Sequence, residues 1–224
     1  MTLPLDVVVP TLNAAASLAR TLAAVGTAAT ITVCDGGSRD GTEAIARQGG
    51  AVVVNAPAGR GGQLARGAAA GKAPWILFLH ADTVPGPGWD DAVQTFMSSP
   101  ANSGKAGYFR LRFDTNDPRA RRVERFAVWR CKLFGLPYGD QGLLIARALY
   151  ERLGGFRPLP LMEDVDFARR IGRSHFVPLD ADAITSALRY ERDGWLRRPM
   201  RNLSCLMLFL AGMSPETVAR LYYR

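Results

Sequence analysis

WILFLHADT, residues 75–83, runs five apolar residues straight into a histidine and a carboxylate. The apolar part reads as a strand buried on both faces. Its end carries His80 and Asp82 two positions apart. In extended chain, positions i and i+2 point to the same side, so both side chains can face one object beyond the strand. A plainer reading is open on this fragment alone. Asp82 would cap a following helix, whose start Pro85 and Pro87 favour.

Upstream, the same kind of strand recurs three times. LDVVV (5–9) is a short β-branched run ended by Pro10, and Asn13 is placed to cap a helix with Leu18, Leu22 and Val25 on its inner face. TITVC (30–34) is followed by DGGSRDGTEAIA, where Asp40 and Glu43 have capping-box spacing for a helix through Arg47. AVVVN (51–55) precedes GGQLARGAAAGK (61–72), a helix of small residues. Strand and helix thus alternate four times, which predicts an α/β fold with a mostly parallel sheet and helices on both faces.

Downstream the rhythm changes. AGYFRLRF (106–113) alternates like a half-buried strand, and an Arg-rich helix is expected from Arg119 to Phe134. GLLIA (142–146) and HFVPL (175–179) read as strands flanking a helix that starts near Glu163. The stretch from Trp195 to Tyr222 reads as two helices broken at Ser214-Pro215. With no repeat or low-complexity linker, residues 1–224 form one domain. Residues up to about 100 make a nucleotide-binding half, about 101–190 an acceptor and catalytic half, and about 191–224 a helical tail.

Composition narrows the function. The apolar fraction of 48% and charged fraction of 21% are those of a soluble globular protein. A net charge of +8 favours an anionic partner. Nucleic acid is set aside, because no module interleaves basic and aromatic residues. Cys34, Cys131 and Cys205 are odd in number and far apart, without zinc spacing, which points to a reducing cytoplasm. The opening MTLPLDVVVP is neither a signal peptide nor an anchor. The apolar run Leu203 to Met213 falls short of the ~20 residues of a membrane span.

In an open parallel sheet, ligands bind beyond the carboxyl ends of the strands. Pro10, Thr11 and Asn13, then Asp35, then His80 and Asp82 follow three such ends. This convergence favours a site over a set of helix caps. AGRGGQL (58–64) adds a glycine loop in which Arg60 and free amides suit a phosphate.

VVVPTLN (7–13), VCDGGSRDGT (33–42), FLHADT (78–83) and MEDVDFARRI (162–171), in this order, resemble the family 2 glycosyltransferases of the GT-A fold. The resemblance implies a Rossmann-like sheet and a C-terminal helical tail. It implies that Pro10, Thr11 and Asp35 line a nucleoside pocket, that His80-Ala81-Asp82 stands where the family carries Asp-x-Asp, and that Glu163-Asp164 holds the catalytic base. It also implies transfer with inversion from a nucleotide-sugar, a UDP-sugar being favoured, to an acceptor hydroxyl. YGDQG (138–142) resembles a subset of these enzymes in which GDQG shapes the acceptor side, which implies Asp140 and Gln141 as acceptor-side candidates; the same five residues also read as an ordinary turn before a strand.

The departure is His80 in place of the first Asp. Mg²⁺ or Mn²⁺ is held by one or two carboxylates plus phosphate oxygens and water, so Asp82 can suffice. His80 either ligates the metal, which tilts preference toward Mn²⁺, or bonds the ribose or a phosphate. Two other readings stay open: a sugar-phosphate nucleotidyltransferase, and a nucleotide-binding module without activity. For the tail, RYERDGWLRRPMRN (189–202) leading into LSCLMLFLAG (203–212) fits an interfacial membrane segment on the inner face of the membrane, serving a lipid-linked acceptor. It equally fits a helix packed on the core or a dimer interface.

Overall fold

The computed structural model describes residues 2–222. In chain order the elements are β1 (Leu5–Thr11), α1 (Ala15–Val25), β2 (Thr30–Asp35), α2 (Thr42–Gln48), β3 (Val52–Asn55), α3 (Arg60–Ala70) and β4 (Trp75–Phe78). Then come β5 (Thr83–Pro85), α4 (Trp89–Ser98), β6 (Ala106–Phe113), α5 (Pro118–Phe134), β7 (Leu143–Ala146) and α6 (Arg147–Arg152). The chain continues through α7 (Glu163–Ile171), β8 (Phe176–Thr185), α8 (Leu188–Asp193), α9 (Arg197–Leu210) and α10 (Pro215–Tyr222).

All eight strands form one sheet in the order β3-β2-β1-β4-β7-β6-β8-β5. The pairs from β3 to β4 are parallel, as the fourfold alternation predicts. β7 enters antiparallel between β4 and β6, β6 and β8 run parallel, and β5 closes the edge antiparallel to β8. Burial on both faces explains the unbroken apolar strands. Val7, Val9 and Leu77 pack with Leu18, Leu22, Val93 and Phe96 on one face. Val8, Ile76 and Phe78 pack with Leu64, Ala68, Phe156 and Phe167 on the other.

Close approach of α3 to β1 depends on Gly67, where an added Cβ would lie 2.4 Å from Val8 Cγ1. Asp6, buried on β1, is tied to Arg147 at the start of α6 (2.7 Å), and Arg147 also donates to the carbonyls of Ala68 and Ala73.

Two capping expectations are corrected, and the alternative reading of Asp82 as a cap falls with them. Asn13 does not cap α1; it sits at φ 51° and its Oδ1 accepts from the Arg39 amide. Asp40 and Glu43 form no capping box, because α2 starts only at Thr42 behind Gly41. Asp40 receives the Ala15 amide at the first turn of α1 on Oδ2 and the Thr42 amide at the head of α2 on Oδ1, so one side chain ties the two helix starts together. Asp82 caps nothing either, since α4 begins at Trp89 after Gly88 in the left-handed region.

β8 runs six residues past the expected end at Leu179. Its acidic positions face outward, where Asp180 and Asp182 meet Arg110 of β6. Elements α4, α6, α8 and β5 add to the expected set. In the tail, Cys205 and Leu206 of α9 pack with Leu161, Met162 and Val165 and with Val218 and Ala219 of α10. No helix among the described residues is long and apolar enough to cross a membrane.

Candidate active site

Beyond the carboxyl ends of β1 and β4 lies a cleft of about 710 Å³, with Pro10, Thr11, Asn13, Arg60, His80, Ala81 and Asp82 in its wall. A smaller cavity of about 110 Å³ shares Arg60, His80 and Asp82 with it and reaches Asp140 and Asp164. Asp82 and Asp164 therefore face one continuous space. The expected strand-end residues meet there because parallel strands deliver their carboxyl ends to one edge.

Asp35 lies beneath that wall. It is fully buried, and its carboxylate accepts hydrogen bonds from Thr11 Oγ1 (2.8 Å), Gly37 N (2.9 Å), Ser38 N (2.7 Å) and Ser38 Oγ (2.6 Å). Burial alone would raise its pKa; the bonds from Ser38, Thr11 and Gly37 outweigh that and hold the carboxyl below its usual range. Its visible work is to lock the DGGS turn to the end of β1. Gln63 of α3 completes the lock, donating to the Thr11 and Cys34 carbonyls (2.7 and 2.8 Å).

His80 packs against Gly139, where a Cβ would stand 2.4 Å from its Nε2 and force the imidazole to move. The Gly139 amide donates to Asp164 Oδ2 (3.0 Å), which joins the 138–142 segment to the head of α7. Burial, reinforced by Arg60, pushes the His80 pKa down to about 4, leaving a neutral imidazole near pH 7. Met162, just before Glu163, holds φ at 64° in the cavity wall. Backbone strain of this kind in a non-glycine residue gathers at functional sites.

The two acidic residues at the head of α7 part company. Asp164 faces the cavity. Glu163 turns inward, 1% exposed, and pairs with Arg60 Nε at 2.9 Å. Burial pushes Glu163 up to about 7, against the pull of Arg60 and with help from Asp164. The two acceptor-side candidates separate likewise. Asp140 lines the smaller cavity, its Oδ1 without a hydrogen-bond partner among the described residues, and burial raises it to about 6 against the pull of Arg130. Gln141 is interior, accepting from Arg130 (2.8 Å) and donating to the Phe109 carbonyl (3.1 Å).

Sequence reasoning missed the far wall. Arg189, Arg192, Arg198, Arg201 and Tyr222, all from the tail helices, line the large cleft opposite Thr11 and Arg60. Arg189 Nη2 stands 3.3 Å from Asp82. The basic spacing of 189–202 was the available signal, but it also fits a solvated helix face.

Among the described residues no three His, Cys, Asp or Glu side chains gather as a metal site. His80 and Asp82 supply an imidazole and one carboxylate on a shared wall, and both reach both cavities. That donor set fits a hard cation whose remaining ligands are phosphate oxygens and water, and does not fit a cage built by protein alone.

Sheet order, strand-end cleft and facing carboxylates define an α/β fold of the GT-A kind. Residues 6–154 match Glycosyl transferase family 2, and the chain belongs to that family. A comparison with curated proteins gave no match. Among solved structures, a mannosyltransferase from Pyrobaculum calidifontis in complex with GDP-Man and Mn²⁺ is 17% identical, with TM-score 0.68 over 100% of this chain and 69% of that one. S. aureus TarS 1-349 is 14% identical, with TM-score 0.64 over 99% of this chain and 69% of that one. Glucosyl-3-phosphoglycerate synthase from Mycobacterium tuberculosis, in complex with Mn²⁺, UDP and glucosyl-3-phosphoglycerate, is 22% identical, with TM-score 0.57 over 81% and 70%. At these identities the likeness establishes the fold.

Proposed function

We propose that this family member transfers a sugar from a nucleotide-sugar, with UDP as the favoured carrier, to an acceptor hydroxyl with inversion. The observation that carries this reading is Asp164, held by the Gly139 amide, facing Asp82 and Arg60 across one cavity. The acceptor oxygen attacks the anomeric carbon as the bond to the diphosphate breaks, and its proton passes to Asp164. General-base help of this kind contributes ~10²–10⁴-fold. Arg60, aimed by buried Glu163, stabilises the charge that develops on the leaving diphosphate. A divalent cation, Mg²⁺ or Mn²⁺, would be held by Asp82 and His80 and would supply further neutralisation there.

Pro10, Thr11 and Asn13 are assigned to the nucleoside side, and Asp140 to the acceptor side. Asp35 and Gln141 act from beneath, by fixing those loops. A nucleotidyltransferase would need a basic glycine loop after β1, where this chain has PTLNAAASL (10–18). A peripheral membrane contact is favoured by one observation: Leu196 and then Met200, Leu203, Met207 and Leu210 along α9 are exposed at helical spacing beside Arg197. It would suit a lipid-linked acceptor.

Calorimetry with UDP and Mn²⁺, together with donor turnover, tests the assignment. Asp164→Asn is expected to lower turnover ~10²-fold or more while donor binding persists. Asp82→Ala is expected to lose both turnover and metal-enhanced binding. Absence of metal-enhanced binding of any nucleoside diphosphate to the unaltered protein would overturn the donor site.

A further inference from the structure

Among the described residues of the tail, three arginines share one carboxylate. Arg192 Nε (2.8 Å), Arg198 Nη1 (2.7 Å) and Arg201 Nη2 (3.1 Å) all converge on one carboxylate, Asp193. Arg198 is buried at 8% exposure, its other amine donating to Tyr222 Oη (3.1 Å) and its guanidinium lying over the Tyr190 ring. Arg201 keeps a buried Nε with no hydrogen-bond partner among the described residues. Three guanidiniums around one carboxylate leave a surplus of about two charges, and the share carried by buried Arg198 is costly unless an anion meets it.

That surplus faces the cleft wall formed by Pro10, Thr11 and Arg60. On the same side, Asp82 already has a counter-charge in Arg189. Planar guanidiniums grip phosphate oxygens two at a time, which suits them to a charged group with several such oxygens. We infer that Arg192, Arg198 and Arg201 form an anion clamp that closes α8 and α9 over the donor's diphosphate, and that this grip operates without a divalent cation. The inference rests on the donor reading above and adds the residues that hold the pyrophosphate. Arg198 and Arg201 are the central donors, oriented by Asp193 and Tyr222. Arg192, the most exposed of the three, guides approach.

The same chemistry could seize a phosphate carried by the acceptor, and the choice of probes separates the two. Binding of inorganic pyrophosphate, UDP and uridine is measured by calorimetry on the whole chain, in EDTA and again with Mn²⁺. The unaltered protein is expected to bind pyrophosphate and UDP in EDTA, and Arg198→Gln or Arg201→Gln to weaken both about tenfold or more. Uridine affinity is expected to stay unchanged, which also reports that the variants fold. Should Arg198→Gln fail to fold, Arg201→Gln, at a half-buried site, carries the test alone. Pyrophosphate and UDP binding that needs Mn²⁺, or that both variants leave untouched, overturns the clamp while the donor reading stands. An acceptor-phosphate clamp would instead show pyrophosphate binding weakened by the variants with UDP binding untouched, and that also overturns the donor-side clamp. Pyrophosphate binding that the variants weaken, with no preference for UDP even with Mn²⁺, keeps the arginines as an anion site but removes the donor reading and, with it, the assignment of the clamp to the donor.

Discussion

Glu163 and Asp164 are neighbours in sequence with opposite environments. For Glu163, a folded pKa near 7 stands above the ordinary 4.5, so between those values the folded chain binds more protons than the unfolded one. Stability therefore falls as pH rises through that window. Glu163→Gln removes the titration, and urea denaturation at pH 5, 6, 7 and 8 should show a flatter stability profile than the parent. An equally steep profile in the variant would deny the buried carboxyl this part. The acidic pair itself was legible from MEDVDFARRI through its likeness to the family's motif, because carboxylates in the first turn of a helix are common on electrostatic grounds alone. Which of the two faces the cavity was not legible: the answer depends on Met162 at φ 64° and on the Arg60 partner, a hundred residues upstream.

Helix α3 shows how much an element owes to what it packs against. GGQLARGAAAGK reads as a weak helix, since each interior glycine costs about 1 kcal/mol against alanine. The compensation is proximity. At Gly67 a methyl group would lie 2.4 Å from Val8 Cγ1, whereas at Gly62 it would meet only Pro158 Cβ at 3.8 Å. Gly67→Ala gains the propensity term but incurs overpacking of about 1–3 kcal/mol in a fully buried seam, so a lower urea midpoint is expected. Gly62→Ala gains the same term without a clash, and its midpoint should hold or rise. Equal shifts in the two variants would show that packing against β1 does not decide the matter. Caps were the poorest-read feature for a related reason. Asp40 has the spacing of a capping box with Glu43, but the chain turns at Gly41 and its carboxylate is shared between the Thr42 amide of its own helix and the Ala15 amide of α1.

Taken as a molecule, the chain sets a sheet edge against a basic tail and leaves an apolar stripe outside. Phe126, Trp129, Leu133 and Phe134 on α5 are also exposed, beside Arg122, Arg125 and Lys132. Aromatic residues next to cations suit a membrane interface with anionic lipid. The protein should pellet with vesicles containing anionic lipid at moderate salt, and Leu203→Asp with Met207→Asp should abolish pelleting. A parent chain that stays in the supernatant removes the membrane reading without touching the cleft.

The parallel half of the sheet, its two-faced burial and the strand-end positions of Thr11, His80 and Asp82 were readable directly, because period and strand-end chemistry are local properties of the chain. The antiparallel insertion of β7, the inward turn of Glu163, the interior place of Asp35 and Gln141, and the arginine wall opposite Thr11 came only with the folded chain. Each of those depends on partners far apart in sequence, and no local pattern records which of several equally basic or acidic residues the fold will bring face to face.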